Sequence, residues 1–133
     1  MVLSVVVLGG AILWIPYYRH HKTSPLQAVS SARVDARLNH KVLMVEFESD
    51  WCSDCRNLSR SLQEPGIRDY LARHVDLVTV DVGQFNRNLD VARLLGVDVN
   101  QGIPSAFFLR ENAPVSRQVG NAQILSYLHQ LEY

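Results

Sequence analysis

The sequence predicts an α/β domain, a four-stranded mixed sheet with helices on both faces, preceded by an N-terminal hydrophobic helix. Three observations predict it. Four short β-rich runs (42–47, 75–82, 105–109 and 115–119) are interleaved with helical stretches. The first two runs are joined through helix, which makes them a parallel pair with a crossover; the last two are joined by a short ENAP turn, which makes them antiparallel. A mixed sheet covered on both sides follows. Ahead of all this, residues 1–18 (MVLSVVVLGGAILWIPYY) contain 14 apolar residues and no charged side chain.

The leader comes first. Residues 2–18 would make a helix of about 25 Å, near the short limit for a bilayer span. Trp14, Tyr17 and Tyr18 close it as interfacial aromatics do, and Arg19-His20-His21-Lys22 forms a basic collar. A cleaved signal peptide fits less well. No basic residue precedes the apolar run, and the small-residue run Ala28-Val29-Ser30 lies beyond the collar. The expected organisation is a transmembrane anchor or uncleaved signal at 1–18, a juxtamembrane linker at 19–23 and one folded domain at 24–133. By the positive-inside rule the collar favours a cytoplasmic domain.

The elements of the domain follow in order. Ser24-Pro25-Leu26-Gln27 reads as a helix start, with Ser24 as N-cap, Pro25 at the first helical position and Gln27 closing a capping box. That helix should run to about Leu38 and end near Asn39. VLMVEF (42–47) is almost wholly apolar, as a strand buried on both faces is. CSDCRNLSRSLQ is helical in composition, Pro65 interrupts it, and helix resumes over 67–73. VDLVTVDV (75–82) is the second strand. Residues 89–95 are helical and Gly96 stops them. The two short strands follow, and a last helix over 122–131 presents Ile124, Leu125 and Leu128 on one side.

Composition narrows the function. The chain has 133 residues, 13 Lys+Arg and 13 Asp+Glu, and 47% apolar residues, so it is neither disordered nor a basic nucleic-acid binder. Without Arg19 and Lys22, residues 23–133 hold 11 basic and 13 acidic residues, a net charge of −2. Two cysteines cannot build a disulfide scaffold or a four-cysteine metal site. They are spaced Cys52-Ser53-Asp54-Cys55. Haem attachment needs a His after the second Cys, where Arg56 stands. Zinc would need two more ligands, and none of His20, His21, His40, His74 and His129 shows ligand spacing with the pair. The pair lies between a buried strand and a helix, so Cys52 should sit at a helix N-terminus, where free N–H groups and the dipole favour a thiolate. Thiolate is the attacking species in disulfide exchange.

VEFESDWCSDC resembles the active-site strand and loop of the thioredoxin superfamily, in which Trp precedes CxxC. Ile103-Pro104 before SAFFL resembles that fold's cis-proline loop, and Gly120 stands where it places a glycine after the last strand. VDVGQFNRNLDVARLLGVDVNQGIPSAFFL resembles exported or membrane-tethered bacterial members. The resemblance covers about 25–133. It implies a thioredoxin-like domain at 24–133, with Cys52 as exposed nucleophile and Cys55 as buried resolving thiol. It implies that Trp51, Ile103 and Pro104 contact substrate, Pro104 holding its backbone as an added strand. It implies no cofactor and no metal, and it puts the domain outside the cytoplasm, against the vote of the collar. The partners implied are protein disulfides or dithiols and an upstream thiol electron donor, with the membrane engaged through 2–18.

Two further acids bear on the chemistry. Glu46 stands where the superfamily carries a buried acid, and burial would raise its pKa and fit it to take the proton of Cys55. The lysine often found on the second strand near that acid is missing from VDLVTVDV. Asp54 replaces a common proline; its carboxylate disfavours the Cys52 thiolate and tunes the couple toward reduction. With Glu48 and Asp50 it makes an acidic rim. The leading expectation is thus a membrane-tethered thiol–disulfide oxidoreductase working as a protein-disulfide reductase. The alternatives are a non-catalytic interaction or assembly module with a structural disulfide, and a metal-handling module using Cys52, Cys55 and a histidine.

Overall fold

A computed structural model describes residues 3–8 and 11–16 in backbone and 23–132 in full. The leader is where sequence and structure part. The sequence predicts a helix over 1–18, whereas the described backbone is extended: β1 (Leu3–Leu8) pairs antiparallel with β2 (Ala11–Pro16). Val5, Val6 and Val7 are β-branched, and such side chains lose χ1 freedom in a helix and favour strands. No helix among the described residues is long and apolar enough to cross a membrane. Residues 19–22 of the expected linker lie outside the described residues.

α1 (Pro25–Leu38) starts where the sequence places it. Ser24 Oγ accepts from the Gln27 amide at 3.2 Å and Gln27 Oε1 accepts from the Ser24 amide at 3.1 Å. Asn39 caps its end, and β3 (Val42–Glu48) begins three residues later. α2 (Ser53–Leu62) and α3 (Pro65–His74) lead to β4 (Val75–Asp81). Pro65 therefore opens the third helix, at a position where its missing N–H costs nothing. α4 (Leu89–Leu94) and a 3₁₀ turn (Val99–Gln101) precede β5 (Ser105–Leu109). β6 (Ser116–Val119) and α5 (Asn121–Glu132) complete the chain.

The main sheet has four strands in the order β4-β3-β5-β6. β3 pairs parallel with β4 and antiparallel with β5, and β6 pairs antiparallel with β5. This is the mixed sheet the sequence predicts. β3 lies inside it with both faces covered, which is why VLMVEF shows no polar alternation. Leu43, Val45 and Phe47 pack with Val29 and Ala36 of α1 and Val91 and Ala92 of α4. Met44, on the opposite face, packs with Leu58 and Leu62 of α2, Leu71 of α3 and Ile124 and Leu128 of α5. Side chains alternate along a strand, so Glu46 and Glu48 share the face of Met44, under α2. The carboxyl end of β3 feeds directly into the CxxC loop.

Candidate active site

The loop after β3 turns into α2 at Cys52, which is the N-cap residue, as the sequence predicts. Its sulfur takes the place of the usual capping oxygen and accepts from the Cys55 amide at 3.1 Å. Cys52 and Cys55 are joined in a disulfide with their Cα atoms 5.2 Å apart. In the dithiol form that same amide faces a Cys52 thiolate at the positive end of α2, which stabilises negative charge there. Cys52 Sγ also lies 3.6 Å from the Ile103 carbonyl oxygen. The expectation of an exposed nucleophile needs correction. Cys52 is 5% exposed and Cys55 1%, so Cys52 is the more accessible residue of the pair but is itself buried.

The Ile103–Pro104 bond is cis. Pro104 is buried, and its carbonyl accepts from the Gly120 amide at 2.8 Å. Ser105 Oγ donates to the Gly102 carbonyl at 2.5 Å, bracing the loop from the other side. Pro104 thus faces inward, and the backbone beside the sulfurs is that of Ile103. Gly120 holds φ at +93°, and a Cβ there would sit 3.0 Å from Gln123 Oε1. Gly120→Ala should cost about 1–2 kcal/mol through backbone strain. Urea unfolding tests this, and an unchanged midpoint would refute it.

Trp51 is 47% exposed and is pinned rather than free. Its indole N–H donates to the Gly83 carbonyl at 2.8 Å, and its ring meets Phe85 edge-on at 5.6 Å. The hydroxyl of buried Ser49 donates to the same carbonyl at 2.7 Å. Gly83 can present that carbonyl because it holds φ at +56°, with its amide on Asp81 Oδ1 at 2.7 Å. Asp81 also pairs with Arg87 at 3.2 Å, and its carbonyl accepts from Asn88 Nδ2 at 2.8 Å. The loop after β4 therefore clamps the CxxC loop. Sequence reasoning misses this clamp; the Gly and Asn residues of VDVGQFNRN signal a turn but not its target.

Glu46 is 3% exposed, lies opposite Thr79 on β4 and Ala106 on β5, and its Oε1 has no hydrogen-bond partner in the protein. Burial first, and the Glu48 charge second, push its pKa up to about 7. Thr79 occupies the position across from it, so no cation offsets the burial on that side. Glu48 lies opposite Asp81, and burial, then Asp81 and Asp50, raise its pKa also. Asp54 is exposed in the first turn of α2. Arg56 donates to the Asp50 carbonyl at 2.6 Å, and among the described residues no ion pair joins it to Asp54. Among the described residues no three His, Cys, Asp or Glu side chains gather as a metal site.

A thioredoxin-like family model matches residues 24–110. No curated protein sequence matches the chain. Among solved structures, a disulphide isomerase from Xylella fastidiosa Temecula1 superposes with a TM-score of 0.70 at 24% identity, covering 90% of this chain and 98% of that one. A thioredoxin from Thermus thermophilus gives 0.58 at 24% identity over 77% of this chain and 82% of that one. Chloroplastic thioredoxin z gives 0.54 at 27% identity over 77% and 88%. The family match takes in β3, β4, β5 and both cysteines, well over half of the sequence, and the chain belongs to the thioredoxin-like family.

Proposed function

We propose that this thiol–disulfide oxidoreductase works as a reductase of protein disulfides, outside the cytoplasm and held to a membrane by its apolar leader. The observation that carries the redox reading is the placement of Cys52. It caps α2 with the Cys55 amide on its sulfur, and the Ile103 carbonyl oxygen lies 3.6 Å from that sulfur. The Cys52 thiolate attacks a substrate disulfide and forms a mixed disulfide, releasing one substrate thiolate. The Ile103 backbone is the segment available to align the substrate chain, since the Pro104 carbonyl is bound to Gly120. Cys55 then gives up its proton, in this reading to Glu46, and attacks Cys52 Sγ. The mixed disulfide breaks, the electron pair leaves on the second substrate sulfur, and Cys52–Cys55 closes. An upstream dithiol donor returns two electrons. The membrane attachment rests on the charge-free run at 1–18 and its basic collar.

Insulin reduction by the full chain in mild detergent, driven by dithiothreitol, tests the activity. Turnover is expected. The burial of Cys52 suits a second reading, a non-catalytic interaction module with a structural disulfide, and absent turnover would favour that reading. Direction is tested by redox titration. The couple should lie nearer the thioredoxin value of about −270 mV than the strong-oxidant value of about −120 mV. Asp54→Asn should raise it by about 10–20 mV, the equivalent of roughly 0.5–1 kcal/mol for one surface charge. Asp54→Pro should move it the same way. A strongly oxidising wild type would refute the reductase direction. Protease accessibility of the domain in intact and opened cells tests the side of the membrane.

A further inference from the structure

The exchange cycle leaves one group unused. A cleft of about 380 Å³ opens on the side of α2 and is lined by Glu48, Ser49, Asp50, Cys55, Arg56 and Ser59. Cys55, 1% exposed, therefore borders a space large enough for several waters. Glu46 does not line that cleft, and Glu48 does. We propose that Glu48 is a second proton acceptor for Cys55, acting through water in the cleft. This inference rests on the exchange cycle above and adds a residue to it.

The charges around Glu48 suit the role. Asp81 lies directly across on β4, Asp50 lies in the following loop, and Glu46 lies two residues back on the same strand face. Partial burial first, and the Asp81 and Asp50 charges after it, favour protonated Glu48 over its anion. The nearby cations are committed elsewhere. Arg56 of α2 donates to the Asp50 carbonyl, and Arg87 pairs with Asp81 at 3.2 Å. Among the described residues no ion pair holds Glu48. Its carboxylate is thus basic for its type and free to take a proton. In the resolving step the Cys55 S–H proton passes through cleft water to Glu48. The Cys55 sulfur then forms the bond to Cys52 Sγ, the bond from Cys52 to the substrate sulfur breaks, and that sulfur leaves with the electron pair. In the opposite direction Glu48 returns the proton to Cys55.

Two-phase release of thionitrobenzoate tests the proposal. The reduced full chain is mixed with dithiobis-nitrobenzoate; Cys52 attacks in the first phase and Cys55 resolves in the second. In Glu48→Gln the second phase should slow about tenfold at pH 7, less than the ~10² usual for loss of a general base because Glu46 remains. The Glu46→Gln/Glu48→Gln pair should slow it about 100-fold. The first phase should not slow, Glu48→Asp should recover part of the rate, and the pH rise of the second phase should flatten in Glu48→Gln. The sign separates a proton acceptor from a bare charge. A carboxylate that merely repels thiolates would, when removed, speed both phases. A second phase that is unchanged or faster in Glu48→Gln overturns the proposal. Insulin reduction is read separately: if it fails while the second phase slows as expected, the reductase reading falls and the role of Glu48 stands.

Discussion

Cys52→Ser should remove insulin reduction to background, whereas Cys55→Ser should stop turnover but leave the first attack intact. The two sulfurs differ in what the fold gives them. Cys52 caps α2, receives the Cys55 amide and is the more exposed of the pair. Cys55 is 1% exposed, bonded to Cys52 and on the wall of the solvent cleft. A protein substrate therefore reacts at Cys52, and without Cys55 the mixed disulfide has no internal thiol to resolve it. Cys55→Ser should accumulate a covalent adduct, visible on non-reducing gels and released by dithiothreitol. Trapped from cells, that adduct identifies the substrate, and the compartment of the substrate tests the topology. Neither variant should unfold the domain. Serine is nearly the size of cysteine, and a disulfide closing so short a loop contributes about 2 kcal/mol by chain entropy. Turnover that persists in Cys52→Ser would refute the mechanism.

What could be read from the sequence is what is local. Ser24, Pro25 and Gln27 specify the start of α1 because all three act within one helical turn. The spacing and flanks of Cys52 and Cys55 specify a helix-capping pair because strand, loop and helix are contiguous. Glu46 announced itself as an acid in an apolar run, and its burial follows from the central place of β3. The clamp on the CxxC loop could not be read, because Ser49 and Trp51 meet Gly83 more than 30 residues away through a backbone carbonyl that any residue type carries. The difference between Glu46 and Glu48 was also hidden. Alternation puts both on one face, but only the position of α2 decides which one meets the cleft. Val115 falls outside β6 because the turn before it, with Asn112 at φ +59°, uses more residues than the pattern suggests. In the leader two local signals compete: apolar length argues for a helix, β-branched valines favour extended backbone, and residues 3–8 and 11–16 are extended.

Stability should fall as pH rises from about 4.5 through about 7, and Glu46→Gln should abolish most of that slope. The direction follows from burial. Glu46 titrates at about 7 in the fold against 4.5 for the ordinary carboxyl. Between those values the folded chain holds a proton that the unfolded chain has lost, so raising the pH favours unfolding. Below 4.5 both states carry the proton and Glu46 exacts no penalty. Above 7 both have lost it, and the fold holds an anion whose Oε1 has no partner and whose neighbour Glu48 is acidic. At 1.36 kcal/mol per pKa unit the penalty is about 3 kcal/mol, and Glu46→Gln should gain up to that much at pH 8 while differing little at pH 4.5. Urea unfolding of the oxidised chain at the two pH values reads both. Equal stability of wild type and Glu46→Gln at pH 8 would refute the assignment. The same substitution should slow resolution by Cys55, since glutamine accepts no proton there. A variant that gains stability while losing rate separates a functional carboxylate from a structural one. In the proposed cycle, the proton that Glu46 takes from Cys55 is what would offset a cost of about 3 kcal/mol to the fold.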